Sequence, residues 1–369
     1  MKNIFFFLFF LFSIQTVFAE KIIWSDDIFQ LEEKEGSIFF VHREKYSFDD
    51  FTHEESVRLE TLVSKMENVF EEVFSFGDYY RFADLETGLE AKEEHEKFQM
   101  NLIPIGSYDR DVNISLLWEV KNTLALIGGK RDLFPPLKDS AIDEIAKRAP
   151  SILGSPLKAI SLKAVDLYWV DGFQALKCML QEWNERFDFN TFEKDNPFQT
   201  TMISSFEDKR GMKIPTSLGK KTCSAFCNPK VIKNQFVEES NHHYVLMNYR
   251  PYTKEDHLLI VPKKHMEKIS HQSSEVIISK YQLIKDFSKA MKKRHPGKKL
   301  IWITKTGWKA NQTQNHLHDH LISYEPRDAA IWMENWLVEV MNFGKVLNPP
   351  LTVEEMKVRG DHLKKFIRK

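Results

Sequence analysis

The stretch NQTQNHLHDHLIS, residues 311–323, places His316, His318 and His320 at every second position. Alternation by two is the period of a β-strand, so a strand here carries all three imidazoles on one face. Three imidazoles on one face are typical of a metal site or of a histidine acid–base cluster. A solvated polar strand face is the alternative, and the surrounding sequence has to decide.

Composition limits the classes of function that the chain can have. With 369 residues, of which 42% are hydrophobic and 13% aromatic, the chain is long enough for two or three domains with substantial cores. The formal net charge is −1, so no global basic excess draws the protein to nucleic acid or to acidic membranes. An anionic ligand therefore has to be held by local groups.

The N-terminal segment MKNIFFFLFFLFSIQTVFAEK has the layout of a secretory signal peptide. A lysine precedes an apolar stretch at residues 4–12, and small residues follow up to Ala19, after which we expect cleavage. The apolar stretch is too short to span a bilayer comfortably. The sequence thus predicts an exported protein, periplasmic or secreted, with no membrane contact after cleavage. An uncleaved anchor is the alternative.

The last third of the chain repeats a pattern that is present in the first third. A strand at 37–44, a helix at 53–74 and a strand at 96–106 match a later strand, helix and strand that end in the histidine run. When the two patterns are aligned, Lys97, Gln99 and Asn101 occupy the places of the three histidines. We interpret this as an internal duplication whose first copy has lost its imidazoles.

The segment HHYVLMNYRPYTKEDHLLIVPKKH at 242–265, followed by a helix and by the histidine run, resembles the histidine triad (HIT) superfamily of nucleotidyl hydrolases and transferases. Two such halves in one chain resemble the galactose-1-phosphate uridylyltransferase branch. The resemblance implies an α+β fold of two HIT-like halves, each an antiparallel sheet with a long helix, which form an internal pseudo-dimer around a mixed α/β middle region. The predicted organisation is a signal peptide at 1–19, a degenerate HIT-like half at 20–118, a middle region and linker at 119–220, a HIT-like catalytic half at 221–345 and a basic C-terminal helix at 346–369.

The resemblance also implies roles for individual residues. His318 would be the nucleophile that attacks the α-phosphorus of a nucleoside phosphate, because a neutral imidazole is competent at neutral pH without a dedicated base. His320 would lie beside the leaving group, and His257 would complete the ring of imidazoles. The residues expected to bind substrate are Thr313 and Gln312, in the loop before the triad, and Asn248, at a ribose-binding position.

A structural zinc site is implied for the first triad histidine. Some members of the superfamily bind zinc through two cysteines, the histidine of the P-K-x-H segment and the first triad histidine, which here are Cys223, Cys227, His265 and His316. Two thiolates and two imidazoles suit tetrahedral zinc. The cysteine spacing is C-x-x-x-C where the family usually has C-x-x-C, and in an oxidising compartment the two thiols could form a disulfide instead.

Asp319 departs from the family pattern, which has an apolar residue at this position. Strand alternation directs Asp319 away from the histidines, towards the layer that packs against a helix. A buried carboxylate is costly without a partner. We therefore expect either a solvated face or a basic side chain next to Asp319.

These observations predict a nucleotide phosphohydrolase or nucleotidyltransferase that works through a covalent nucleotidyl-histidine, with a nucleotide or nucleotide conjugate as substrate. His320 indicates hydrolysis, whereas the duplication indicates a transferase architecture. No cofactor is required for this chemistry. The alternatives are a non-catalytic nucleotide-binding or interaction protein built on the same fold, and a catalytic transition-metal site.

Two further expectations concern assembly and source. The duplication predicts a monomer with an internal pseudo-dimer, or a homodimer. The sequon Asn311-Gln312-Thr313 overlaps the expected phosphate loop, where a glycan would obstruct the site. With the leader, this favours a bacterial exported protein.

Overall fold

The fold is built around one long antiparallel sheet. The computed structural model describes residues 21–34, 36–74, 77, 79–85, 97–104, 137–155, 201–203, 205–207, 213–215, 222–227, 229–249, 251, 255–307, 312, 314, 316–324 and 351–367. Ten strands pair in the order β1-β2-β3-β5-β4-β13-β14-β12-β11-β10. They are β1 Lys21–Ser25, β2 Phe29–Lys34, β3 Ser37–His42, β4 Tyr79–Asp84, β5 Gln99–Pro104, β10 Phe236–Glu239, β11 His243–Met247, β12 His257–Pro262, β13 Lys299–Thr306 and β14 Asp319–Tyr324.

The remaining elements are helices and short strands. Four three-residue strands form two small ladders: β6 Thr201–Ile203 with β9 Thr222–Ser224, and β7 Ser205–Glu207 with β8 Lys213–Pro215. The α-helices are α1 His53–Phe74, α2 Asp139–Gly154, α3 Pro229–Gln235, α4 Ser274–Arg294 and α5 Val353–Ile367. Three-residue 3₁₀ turns precede α1 at Phe48–Asp50 and α4 at Ile269–His271, and a third lies at Ala225–Cys227.

The sheet consists of two five-stranded halves related by a pseudo-twofold axis. Outward from the junction of β4 and β13, the order of each half is the same: β4-β5-β3-β2-β1 and β13-β14-β12-β11-β10. The strand registers match as well, because Phe39 faces Asn101 in the first half as Leu259 faces His320 in the second. Strand order and register together support the internal duplication, and they place Asn101 at the position of His320.

The long helices cover one face of this sheet. Helix α1 buries Leu59, Leu62, Val63, Met66 and Phe70, which recur at the three- and four-residue spacing of an apolar helix face. The helix begins at a capping box, in which the Glu55 amide donates to Thr52 Oγ1 (3.2 Å) and the Thr52 amide donates to Glu55 Oε2 (2.6 Å). One hydrophobic core joins α1, α4 and the helix-facing side chains of both half-sheets.

The predicted fold class, α+β with an antiparallel sheet and a long helix in each half, is confirmed. The predicted helix at 53–74 is α1, and the helix of the second copy is α4, between β12 and β13. The junction strand β4, the edge strands β1 and β10, and β2 were not predicted. The domain boundaries stay predictions, since residues 1–20 and most of the middle region at 119–220 lie outside the described residues. No helix in the described part of the chain is long and apolar enough to cross a membrane.

Candidate active site

The three triad imidazoles lie on the sheet face opposite the long helices. Leu317, between the first two histidines, belongs to the core beneath α4, whereas the His318 ring is 5.1 Å from the Phe226 ring on the other face. The prediction that one strand carries all three was wrong in extent, because β14 begins only at Asp319. An extended lead-in keeps the alternation, since the Leu317 amide donates to the Met266 carbonyl oxygen (2.5 Å).

The His318 ring is buried and held in one tautomer. Its Nδ1 is 2.8 Å from the carbonyl oxygen of His316, and a carbonyl can only accept, so Nδ1 carries the hydrogen and Nε2 carries the lone pair. Burial lowers the pKa of His318 to about 4, because the charged imidazolium is poorly solvated there. The ring is therefore neutral at physiological pH, with a nucleophilic nitrogen.

His320 ends a chain of hydrogen bonds that crosses two strands. The Asn248 amide nitrogen is 3.0 Å from Nδ1 of His257, and Nε2 of His257 is 2.9 Å from Nδ1 of His320. The amide nitrogen is also 3.2 Å from Nε2 of His257, but its shorter contact is to Nδ1. An amide nitrogen only donates, so with Nδ1 of His257 as the acceptor its Nε2 donates to His320. Nε2 of His320 then carries a hydrogen. Burial lowers the pKa of both rings well below the ordinary value, which keeps the chain neutral.

Lys305 joins the site, although sequence analysis did not single it out. Thr304 pairs with Asp319, so the next residue of β13, Lys305, lies level with His318 on the same sheet face. The side chain is 5% exposed. Burial, followed by the Lys305 charge, lowers the pKa of His257. The available signal was a lysine inside the strand-like run KLIWITKT, six residues after the lysine at its exposed start.

The loop before the triad is fixed by two glutamines. Gln312 closes the loop onto Gly307, whose amide donates to Oε1 (2.9 Å), and the Gln312 amide donates to the Gly307 carbonyl oxygen (3.2 Å). Gly307 has a φ of 86°, which favours glycine. Gln314 Oε1 accepts from the Ala225 amide (2.8 Å). Thr313, the other predicted phosphate ligand, lies outside the described residues.

Three of the four predicted zinc ligands are brought together. Cys227 Sγ is 3.4 Å from Nδ1 of His265 and 3.5 Å from Nδ1 of His316, and the three ligand atoms lie within 4.8 Å of one another. Tetrahedral zinc with ordinary bond lengths separates a sulfur and a nitrogen ligand by about 3.5 Å. The spacing therefore fits a zinc ion bound between these atoms.

The surroundings of the cluster also fit a metal. Nε2 of His316 donates to the Pro262 carbonyl oxygen (2.9 Å), which leaves Nδ1 to face the thiol. The Glu267 carboxylate is 3.6 Å from Nε2 of His265. Cys223, the fourth predicted ligand, lies in β9, but its side chain is outside the described residues.

The buried Asp319 carboxylate has a basic side chain next to it, which is one of the two arrangements expected from the sequence. Arg81 Nη2 donates to Asp319 Oδ1 (2.6 Å), Trp302 Nε1 donates to the same oxygen (2.8 Å), and the Thr304 hydroxyl also bonds to it. Burial alone would raise the pKa of Asp319, but the charges of Lys280 and Arg81 with these hydrogen bonds hold it at about 2. The solvated-face alternative is thereby excluded.

A family comparison agrees with this geometry. The family model described as HIT domain matches residues 229–327, the segment that contains the triad. No curated protein is matched by the sequence. Among solved structures, the chain is similar to a uridylyltransferase (11% identity, 89% of this chain and 75% of that chain covered, TM-score 0.39).

Two other solved structures are similar to parts of the chain. One is ADP-glucose phosphorylase from Arabidopsis thaliana with bound ADP-glucose (11% identity, 80% and 72% covered, TM-score 0.31). The other is a Zn-bound histidine triad family protein from Mycobacterium smegmatis (16% identity, 29% and 86% covered, TM-score 0.22). The family match and the triad that it contains assign residues 229–327 to a HIT domain of the histidine triad superfamily.

Proposed function

We propose that the HIT domain is a nucleotide phosphohydrolase or nucleotidyltransferase that works through a covalent nucleotidyl-histidine. The observation that carries this proposal is the state of His318, a buried neutral ring whose Nδ1–H is held by the His316 carbonyl so that Nε2 keeps its lone pair. Such a nitrogen attacks phosphorus without a separate base.

The first step forms a bond between His318 Nε2 and the α-phosphorus and breaks the bond from phosphorus to the leaving oxygen. The ring becomes positively charged, and the His316 carbonyl stabilises that charge through Nδ1–H. His320 Nε2–H donates a hydrogen bond to the phosphate oxygens or to the leaving oxygen, and the leaving oxygen takes up a proton from solvent as it departs. Lys305 offsets the negative charge of the phosphoryl group.

In the second step, an oxygen nucleophile attacks the same phosphorus, the N–P bond breaks, and His318 regains its neutral form, while the proton of a water or hydroxyl nucleophile passes to solvent. Water gives hydrolysis and a phosphate or hydroxyl of an acceptor gives transfer. His320, as the third imidazole, favours water. The first half of the chain takes the place of a second HIT subunit in an internal pseudo-dimer. This arrangement favours a monomeric protein.

The proposal includes a zinc ion with a structural role. Cys227, His265 and His316 hold the ion, with Cys223 as the fourth ligand, and the ion fixes the lead-in to His318. The metal supplies rigidity, and the chemistry at phosphorus is performed by the side chains. Export through a signal peptide at 1–19 belongs to the same proposal and is tested by N-terminal sequencing of protein secreted from the native host.

The test is to trap the intermediate. The protein is incubated with adenosine 5′-phosphoramidate, a dinucleoside polyphosphate and nucleotide sugars that carry radiolabelled α-phosphate, and then denatured. We expect an acid-labile, base-stable label on the wild type and on His53→Ala, an exposed control. The label and turnover should be absent from His318→Ala that retains its folded circular-dichroism spectrum. Folded wild type that binds nucleotide without label or turnover would support the non-catalytic alternative.

A further inference from the structure

Helix α5, Val353–Ile367, lies beyond the segment that the family model matches, which ends at residue 327. The helix begins at a capping box, because the Thr352 amide donates to Glu355 Oε2 (2.7 Å) and the Glu355 amide donates to Thr352 Oγ1 (3.2 Å). Its buried face consists of Met356, Gly360 and Leu363. What α5 contributes is therefore particular to this chain and not a property of the HIT domain.

Gly360 brings α5 close to the edge of the sheet. A Cβ atom at this position would lie 3.2 Å from Cγ2 of Val237 in β10, which is closer than ordinary van der Waals contact. A glycine permits this close approach because it has no side chain. The middle of α5 is thus fixed against the HIT domain by packing.

The first turns of α5, with the residue pair before them, hold both ends of the 249–256 loop, which joins β11 to β12. The Leu351 amide donates to the Tyr249 carbonyl oxygen at the first end of the loop (3.0 Å). Arg359 Nη1 donates to the Glu255 carbonyl oxygen at the other end (3.1 Å). Because one packed element is bonded to both ends, it sets the distance between them.

The end of α4 reinforces the second of these contacts. Arg294 Nη1 donates to the Arg359 carbonyl oxygen (2.8 Å) and to Asp256 Oδ2 (3.2 Å), and Nε2 of His295 is 2.8 Å from the same carboxylate oxygen. Asp256 is 1% exposed, and its carbonyl oxygen accepts from the Ser323 amide in β14 (3.1 Å). Arg359 thus belongs to a hydrogen-bonded network that joins α4, α5 and β14.

The residues on either side of the 249–256 loop belong to the candidate active site. Asn248 precedes the loop and His257 follows it, and the Asn248 amide donates to the His257 carbonyl oxygen (2.8 Å). Their side chains form the hydrogen-bonded chain that ends at His320. A displacement of either loop end therefore misaligns this chain. A displacement of about 1 Å in such a position costs up to about 10²-fold in rate.

We propose that Arg359 is a positioning residue for the reaction at His318. By holding the 249–256 loop at the Glu255 carbonyl oxygen, Arg359 keeps the hydrogen-bonded chain beside the triad in alignment. The inference rests on the proposed function and adds a requirement to it, because the alignment depends on a helix outside the HIT domain. Arg359 touches no reacting group and acts through the backbone of the loop.

The test combines amide hydrogen exchange with kinetics on the full chain. Arg359→Met keeps the aliphatic part of the side chain and removes the donor to Glu255. We expect the Asn248 and Ser323 amides to exchange at least about fivefold faster, because both donate to carbonyl oxygens next to the released loop end. With adenosine 5′-phosphoramidate and a dinucleoside polyphosphate as substrates, kcat/KM should fall at least about tenfold.

Two further variants separate positioning from a general loss of structure. Lys357→Met removes the same charge from an exposed position of α5 and should keep wild-type exchange and kinetics. Arg359→Lys keeps a cationic donor and should restore most of both, since the contact with Glu255 is a single hydrogen bond. A side chain that serves folding alone would not link kcat/KM to exchange at these two amides.

Arg359→Ala is a second removal variant, in case Arg359→Met fails to fold. The proposal is overturned if a folded removal variant shows wild-type exchange at both amides. It is also overturned if exchange becomes faster while kcat/KM stays that of the wild type. Absence of turnover in the wild type would instead overturn the proposed function itself, so the two failures are distinguishable.

Discussion

Arg81 of the first half donates a 2.6 Å hydrogen bond to Asp319 of the HIT domain, and both side chains are 1% exposed. The contact lies directly behind the triad, because Asp319 is between His318 and His320 in the chain. The first half of the chain, which has no imidazoles at the triad positions, therefore supplies Arg81. This cation compensates the charge of the buried Asp319 carboxylate in the triad strand. Glu60 and Lys280 complete a cluster of two acids and two bases.

Removing Arg81 alone should be strongly destabilising. Arg81→Leu leaves the Asp319 carboxylate with Lys280, 3.8 Å away, as its remaining ionic partner. We expect a loss of about 3–5 kcal/mol in the free energy of unfolding, measured in urea, since an uncompensated buried charge is left behind. The double variant Arg81→Leu with Asp319→Leu keeps the Glu60–Lys280 pair and should recover much of the loss. Additive losses in the double variant would show that the two side chains are not coupled.

The sequence predicted elements whose signal is local. The apolar spacing of 53–74 reproduced α1 residue for residue, and alternation placed the three imidazoles on one face. It also predicted that Asp319 needs a basic partner. It could not identify Arg81, which is 238 residues away, because β4 has no strong strand pattern and pairing across the pseudo-twofold junction leaves no local trace.

The sequence singled out the candidate residues that belong to a motif, and it missed Lys305, which belongs to none. His257, Asn248 and His320 form one hydrogen-bonded chain, whereas the ribose-binding role expected of Asn248 stays a prediction. Lys305 was missed because a lysine in a strand is usually solvated, and only the pairing of β13 with β14 places it beside His318. The sequence alignment had already placed Asn101 at the position of His320, and the strand registers agree with it.

Zinc should depend on Cys227. Cys227→Ser removes the thiolate that lies between Nδ1 of His265 and Nδ1 of His316, and should reduce bound zinc to below about a tenth of an equivalent, measured by mass spectrometry on untagged protein. His257→Asn, in the same domain and outside the cluster, should keep the metal content of the wild type. Wild-type protein that is purified without chelators and holds no zinc would contradict the assignment.

Glu67 should make stability fall as pH rises. Burial raises the pKa of Glu67 from 4.5 to about 7, while the Tyr79 hydroxyl, 3.2 Å away, favours the charged form. Between these pH values the folded protein binds a proton that the unfolded chain has released, so the free energy of unfolding decreases as pH increases. Above pH 7 the carboxyl costs roughly 3 kcal/mol.

Glu67→Gln keeps the shape of the side chain and removes this titration. We expect the variant to be more stable than the wild type at pH 8, with a smaller difference at pH 5, in urea unfolding followed at both values. Glu72→Gln, which is 52% exposed on the same helix, is the control and should retain the wild-type pH dependence. Equal stabilisation at both pH values would mean that the carboxyl does not titrate in this range.

Lys305 should act on the reaction and not on the fold. The proposed step places a phosphoryl group beside His318, level with Lys305, and a preorganised charge at such a position is worth about 10²–10³ in kcat. Lys305→Met retains the aliphatic packing and removes the charge, so we expect that loss of kcat with a largely unchanged thermal midpoint. Lys299→Met, at the exposed first residue of the same strand, should have wild-type kinetics. A Lys305→Met enzyme with wild-type kcat and KM would remove this residue from the site.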